Sequence, residues 1–264
     1  MKVGLSTLCL MERSFDEALE ELRRVEGIEL VELVDDGPHY LNPKRISRVK
    51  DVVASLGLSI VVHVPFDGLN PTSPWYEVRR ASRRVVFQSL IHAYQLEAEK
   101  VVAHVGLLTS YSHVERIKSK LAEENVSYVA QLYELGEELG LKICLENAAS
   151  STFTCFATLE QIRWFLSKLE ASGINPHITL DVGHAKLHGN PEDYVRFFGR
   201  RLDHIHLHDN HGRRDEHLPL GKGTLDLNKL FSALKSVKYD SSITVENLTL
   251  QDALASLEVL ASQL

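Results

Sequence analysis

Residues 5–14, LSTLCLMERS, follow the first apolar run of the chain and contain no glycine. That absence decides between two architectures. An open doubly wound α/β sheet marks the turn after its first strand with glycines, because the backbone must approach a bound phosphate there. A closed (β/α)8 barrel makes no such demand on that turn. Before the stretch, residues 2–7 (KVGLST) read as a strand. After it, 14–26 read as a helix, with Ser14 as N-cap and Glu17 three positions on completing a capping box.

The same alternation continues along the chain. Strands are expected at 27–35, 58–65 and 99–106, followed by helices over 43–57, 75–97 and within 113–140. In the second half the pairs are 141–147 with 158–170, 177–184 with 191–199, 203–209 with 227–237, and 242–247 with 250–260. Strands alternating with helices argue for a parallel sheet. Eight such units in 264 residues match one α/β domain, a (β/α)8 TIM barrel spanning 1–264. No linker or low-complexity tract divides it.

The bulk composition, 44% hydrophobic and 25% charged, is that of an ordinary globular chain. Cys9, Cys144 and Cys155 show no paired spacing, which argues against a disulfide framework and suggests a reducing, cytoplasmic compartment. Cys144 is expected to fill barrel interior as a small hydrophobe. A net charge of −7 argues weakly against a nucleic-acid coat, while leaving room for a local basic patch. No apolar run approaches the ~20 residues of a membrane span. The opening MKVGLSTLCLM is followed by charge instead of a small-residue cleavage site, so it reads as a strand and loop, not a signal peptide.

Function in such a barrel sits at the carboxyl ends of the strands. Those ends carry His63, His104, Glu146, Asp181 followed by His184, His206, and Glu246; the loop after strand seven adds Asp215 and His217. Strand seven, HIHLHDN (204–210), puts His204, His206 and His208 on one face and Ile205 and Leu207 on the other. The same parity sends Glu146, Asp181, His206 and Glu246 into the mouth, while Ile143, Leu145, Ile178, Leu180, Ile243 and Val245 lie under the helices. One strand-end glutamate is usually a surface charge. Several carboxylates facing one another repel, and a divalent cation resolves the conflict. Three carboxylates and one histidine suit Mn, Mg or Co and tolerate Zn. His63, His104, His184, Asp215 and His217 complete one or two further sites. His204 lies deeper and reads as structural; His208 is left undecided.

Taken in order, HVPF, AHVG, LEN, DVGH, HIHLHDN, DEHLPLGKG and VEN resemble the xylose-isomerase-like barrel superfamily, which contains sugar isomerases, sugar epimerases and endonuclease IV. In the epimerase branch the resemblance implies a metal held by Glu146, Asp181, His206 and Glu246, with the two glutamates exchanging the substrate proton. In the endonuclease branch it implies three zinc ions: on His63, His104 and Glu146; on Glu146, Asp181, His206 and Glu246; and on His184, Asp215 and His217. The ligands do not separate the branches. The first loops, CLMERS and DDGPHYLN, lack the basic character of DNA-gripping loops and favour the isomerase side.

The leading expectation is a metal-dependent isomerase or epimerase of a small sugar or sugar phosphate, with one to three divalent ions, Zn or Mn ahead of Mg or Co. Glu146 and Glu246 are the acid and base, in an order the sequence does not give. His184 and Arg213 or Arg214 are candidate substrate contacts. Cleavage of abasic DNA and a metal-binding barrel without turnover are the alternatives, with inosose-type dehydration a variant of the first. Gly221 and Gly223 could offer backbone N–H groups to a substrate phosphate, though a plain flexible turn is the simpler reading. Phe66, Trp75 and Tyr76 could form a lid over a sugar or simply close the barrel edge. A homodimer is compatible with the sequence, which does not encode the oligomeric state visibly.

Overall fold

The computed structural model describes residues 1–264, apart from the side chain of Ser110. Eight parallel strands form a closed barrel: β1 (Lys2–Ser6), β2 (Leu30–Val34), β3 (Ser59–His63), β4 (Lys100–Ala103), β5 (Ile143–Glu146), β6 (His177–Asp181), β7 (Leu202–Leu207) and β8 (Ser242–Val245). Each pairs with the next, and β8 pairs back onto β1 through Lys2–Ser242 to Leu5–Val245. The helices are α1 (Phe15–Leu22), α2 (Pro43–Leu56), α3 (Tyr76–Gln95), α4 (Glu115–Leu139), α5 (Leu159–Ala171), α6 (Val182–Lys186), α7 (Pro191–Phe198), α8 (Leu227–Ser236) and α9 (Leu250–Ala261). None is long and apolar enough to cross a membrane among the described residues.

Local signals explain most boundaries. Ser14 and Glu17 form the expected capping box at the start of α1. Asn42 caps α2, Pro43 opens it, and Gly57 ends it in the left-handed region at φ 66°. Other boundaries differ from the sequence reading. The helix expected over 14–26 stops at Leu22, and the strand over 27–35 shortens to Leu30–Val34. The strand expected over 177–184 ends at Asp181, because the Asp181 carboxylate accepts the His184 N–H at 2.6 Å and caps α6. His184 therefore projects from a short helix, not from a strand.

Outward residues of the strands, among them Val31, Ile143, Leu145, Ile205, Leu207 and Ile243, are buried beneath the helices in one continuous core. Leu30, Val61 and Val102 form a separate cluster inside the barrel. Cys144 is fully buried in β5, and burial pushes its thiol up to about 12. All three cysteines are free. At the amino-terminal end of the strands, the buried Lys100 ammonium donates to the Asp203 carbonyl at 2.5 Å and to the Ser241 and Ser242 hydroxyls at 2.6 and 2.8 Å. Between β6 and β7 the register shifts at Ile178/Thr179, after which Asp181 stands opposite His206.

Candidate metal centre

The strand ends bring the ionisable residues to one place. Glu146 and Asp181 close β5 and β6, His206 lies in β7, and Glu246 follows β8 directly. All four are buried, and one donor atom from each lies within 4.8 Å of the others. His206 Nδ1 stands 3.4 Å from Glu146 Oε1, 3.4 Å from Glu246 Oε2 and 4.0 Å from Asp181 Oδ2. Despite this crowding, neither ring nitrogen of His206 makes a hydrogen bond of acceptable geometry. A buried imidazole nitrogen facing three carboxylates without a hydrogen bond is the arrangement a cation satisfies.

A second donor set adjoins the first. His63 Nε2 and His104 Nε2 are each 3.3 Å from Glu146 Oε2 and 3.2 Å from one another. Three donors on one tetrahedral centre with bonds of ~2.0–2.1 Å stand about 3.3 Å apart, so the triangle has the dimensions of a zinc-like site. A third set joins His184, Asp215, His217 and His208. Asp215 Oδ2 lies 3.0 Å from His184 Nε2 and 3.1 Å from His217 Nε2.

The backbone fixes these rings. His63, His184 and His217 each donate Nδ1–H to a main-chain carbonyl: Val64 at 2.9 Å, Asn147 at 2.8 Å and Glu246 at 2.7 Å. Each Nε2 then faces a carboxylate oxygen, to which it donates until a cation takes the place of that proton. In the absence of a cation the buried charges compensate one another. Burial raises the Glu146 carboxyl, but the charges of His104 and His206 and the bond from His63 outweigh it and hold it well below the usual range. Burial lowers His206, yet Glu246, Glu32 and Glu146 raise it well above the ordinary imidazole value. His104, dominated by burial, falls to about 4.

Several contributors escaped the sequence reading. Glu32, wholly buried in β2, places Oε2 2.8 Å from His204 Nε2 and Oε1 2.8 Å from His206 Nε2. It forms a carboxylate beneath the His206 ring, as metal-bound histidines commonly have. The available signal was an acidic residue at the inward parity of LVELV, since a carboxylate in an otherwise apolar strand needs partners. His208 donates from Nε2 to Asp181 Oδ2 at 3.2 Å and lies against Gly183, where a methyl group would fall within its ring. Asn147 exchanges two hydrogen bonds with the Asp181 backbone, and Asn247 donates to the carbonyls of His217 and Leu218. The Glu–Asn pair recurring in LEN and VEN thus supplies a donor and, next to it, a clamp on the neighbouring segment.

The glycine loop is neither a phosphate cradle nor a flexible turn. The buried Asp209 carboxylate accepts the N–H groups of Gly221 and Gly223 on Oδ2, at 3.1 and 3.0 Å, and those of Asn210 and Leu225 on Oδ1, at 2.8 and 3.0 Å. The amides are engaged within the protein. Arg213 is exposed on the same loop and is not brought into the donor sets; Arg214 pairs with Glu216. Phe66 packs against His63 and His104 with centroid distances of 5.2 and 5.3 Å, while Trp75 and Tyr76 are largely exposed.

Residues 19–263 match the family model described as xylose isomerase-like TIM barrel. The chain belongs to that family. Within the xylose isomerase-like barrels it is 32% identical to an uncharacterised protein of Methanocaldococcus jannaschii, over 100% of this chain and 89% of that one. It is 22% identical to a fructoselysine 3-epimerase of Escherichia coli O157:H7, over 95% of this chain and 91% of the other. A crystal structure described as a D-tagatose 3-epimerase-like protein superposes with a TM-score of 0.90 at 32% identity, covering 100% of this chain and 97% of the other.

Proposed function

We propose that this xylose isomerase-like barrel is a divalent-metal-dependent epimerase or isomerase of a small sugar. The observation that carries the proposal is the buried convergence of Glu146, Asp181, His206 and Glu246 within 4.8 Å. The epimerase descriptions of two of its relatives support it. A divalent ion held by these four residues would supply Lewis-acid polarisation of a substrate carbonyl. The two glutamates then move the proton α to that carbonyl. They are not equivalent. Glu146 has both oxygens engaged, Oε1 toward His206 and Oε2 toward His63 and His104. Glu246 faces His206 through Oε2 alone, which leaves Oε1 to take a proton. We therefore assign Glu246 to proton removal. His63, turned by the Val64 carbonyl and covered by Phe66, holds Glu146 in place. The test is solvent-deuterium exchange into ketoses by the metal-loaded protein. Glu246→Gln is expected to abolish exchange while the barrel stays folded; exchange at the parental rate would remove the mechanism.

The other two donor sets favour a second reading, hydrolysis of abasic DNA on three metal ions. Near three metal equivalents per chain, together with chelator-sensitive nicking of an abasic oligonucleotide, would support it. About one equivalent and no nicking would leave the epimerase.

A further inference from the structure

A cavity of about 250 Å³ opens beside the donor sets, between the loops after β3, β4 and β5. His104 and His184 belong to its wall, and both stand within 3.5 Å of Glu146, so the cavity abuts the reacting region. The remainder of the wall is mostly apolar, including Phe66, Leu69, Val86 and Leu107. The half-exposed side chains of Phe66 and Leu107 continue this surface to the rim. The loops are joined there, since Leu108 N–H donates to the Phe153 carbonyl at 2.7 Å.

No lysine or arginine lines this cavity. The nearby Arg83 is held by Glu124 at 2.6 Å and by the Pro71 carbonyl at 2.8 Å. The amides of Gly221 and Gly223 are held by Asp209. A phosphate entering the cavity would lose its hydration and find no free cation, because His184 on the wall is already paired with Asp215 at 3.0 Å. A polyhydroxyl tail would face Leu69, Val86 and Leu107, and the Ser150 and Thr154 hydroxyls of the wall are already engaged, the first accepting the Phe153 N–H and the second donating to the Ser150 carbonyl. An apolar group, by contrast, is stabilised there by burial.

Resting on the sugar-epimerase reading, we infer that the substrate carries an uncharged apolar substituent distal to its reacting carbon. This arm, not a phosphate, lies between the loops after β3, β4 and β5. Leu107 is the position at which the preference is set. Its backbone is fixed independently of its side chain, by Asn70 accepting its N–H at 3.0 Å and donating to its carbonyl at 3.1 Å.

The experiment compares a ketohexose 6-phosphate with the 6-O-benzyl ether of the same ketohexose, using the metal-loaded full chain. Calorimetry reads binding and deuterium incorporation reads turnover. The ether is expected to bind at least about tenfold more tightly, one decade being 1.4 kcal/mol. Leu107→Arg is expected to shift the ratio toward the phosphate by a similar factor. Equal or tighter binding of the phosphate, no binding of the ether, or an unchanged ratio in Leu107→Arg would overturn the inference. Ether-preferring binding without exchange on either compound would support the cavity's role and instead remove the epimerase reading. Exchange with a phosphate preference would do the reverse.

Discussion

Replacing Asp209 by asparagine changes one atom's chemistry and no volume. Each Asp209 oxygen accepts two backbone N–H groups, Gly221 and Gly223 on one, Asn210 and Leu225 on the other. Whichever way the new amide turns, two donors face an NH2 group. An unpaired buried donor costs about 1–3 kcal/mol, and bonds to a charged acceptor lie at the upper end. Gly221 is exposed, so water replaces part of its bond. The expected loss is about 2–4 kcal/mol, or roughly 5–10 °C in Tm for a domain of this size. Calorimetry of wild type and Asp209→Asn at equal metal content measures it. Amide hydrogen exchange should show lost protection at Gly221, Gly223 and Leu225. The same loop carries Asp215 and His217, so metal bound at the His184–Asp215–His217 set should be weakened as well. A melting temperature within about 1 °C of wild type, with protection intact, would refute the view that Asp209 organises the loop.

Glu32→Gln should weaken metal binding about 10–100-fold, because His206 loses the carboxylate beneath it; titration against a chromophoric chelator reads this directly. Gly183→Ala should cost about 1–3 kcal/mol by displacing the His208 ring, measured by denaturant unfolding. At the opposite end of the barrel, burial raises the Asp203 carboxyl, but His177 and Lys142 outweigh it and hold it down to about 2. A carboxylate depressed from ~3.9 stabilises the fold above pH ~4 and loses that contribution as the pH falls toward its folded value. Asp203→Asn should therefore flatten the stability profile between pH ~4 and ~2, followed by thermal melts across that range.

The barrel was legible because strand periodicity and strand-end chemistry reinforce one another. Ile205 and Leu207 must lie under helices, which leaves His204, His206 and His208 facing inward. Capping chemistry set the limit at β6. DVGH continues a strand by pattern, but the Asp181 side chain captures the His184 N–H and turns the chain into α6. Glu32 was hidden because it lies in the middle of β2, below the strand ends at which function is expected. The glycines after β7 were misread because their partner, Asp209, lies more than ten positions earlier. Turn chemistry read from neighbouring residues does not register such a bond. Arg213 was selected on charge alone, and charge does not say where a loop side chain points.

Lys100 has a consequence beyond the far end of the barrel it fastens. By tying three segments across that end, beside the interior cluster of Leu30, Val61 and Val102, it helps make the barrel a blind well. Whatever crosses the rim to react must return across the same rim. A product resting beneath the loops excludes the next arrival, and any motion of those loops throttles entry and departure together.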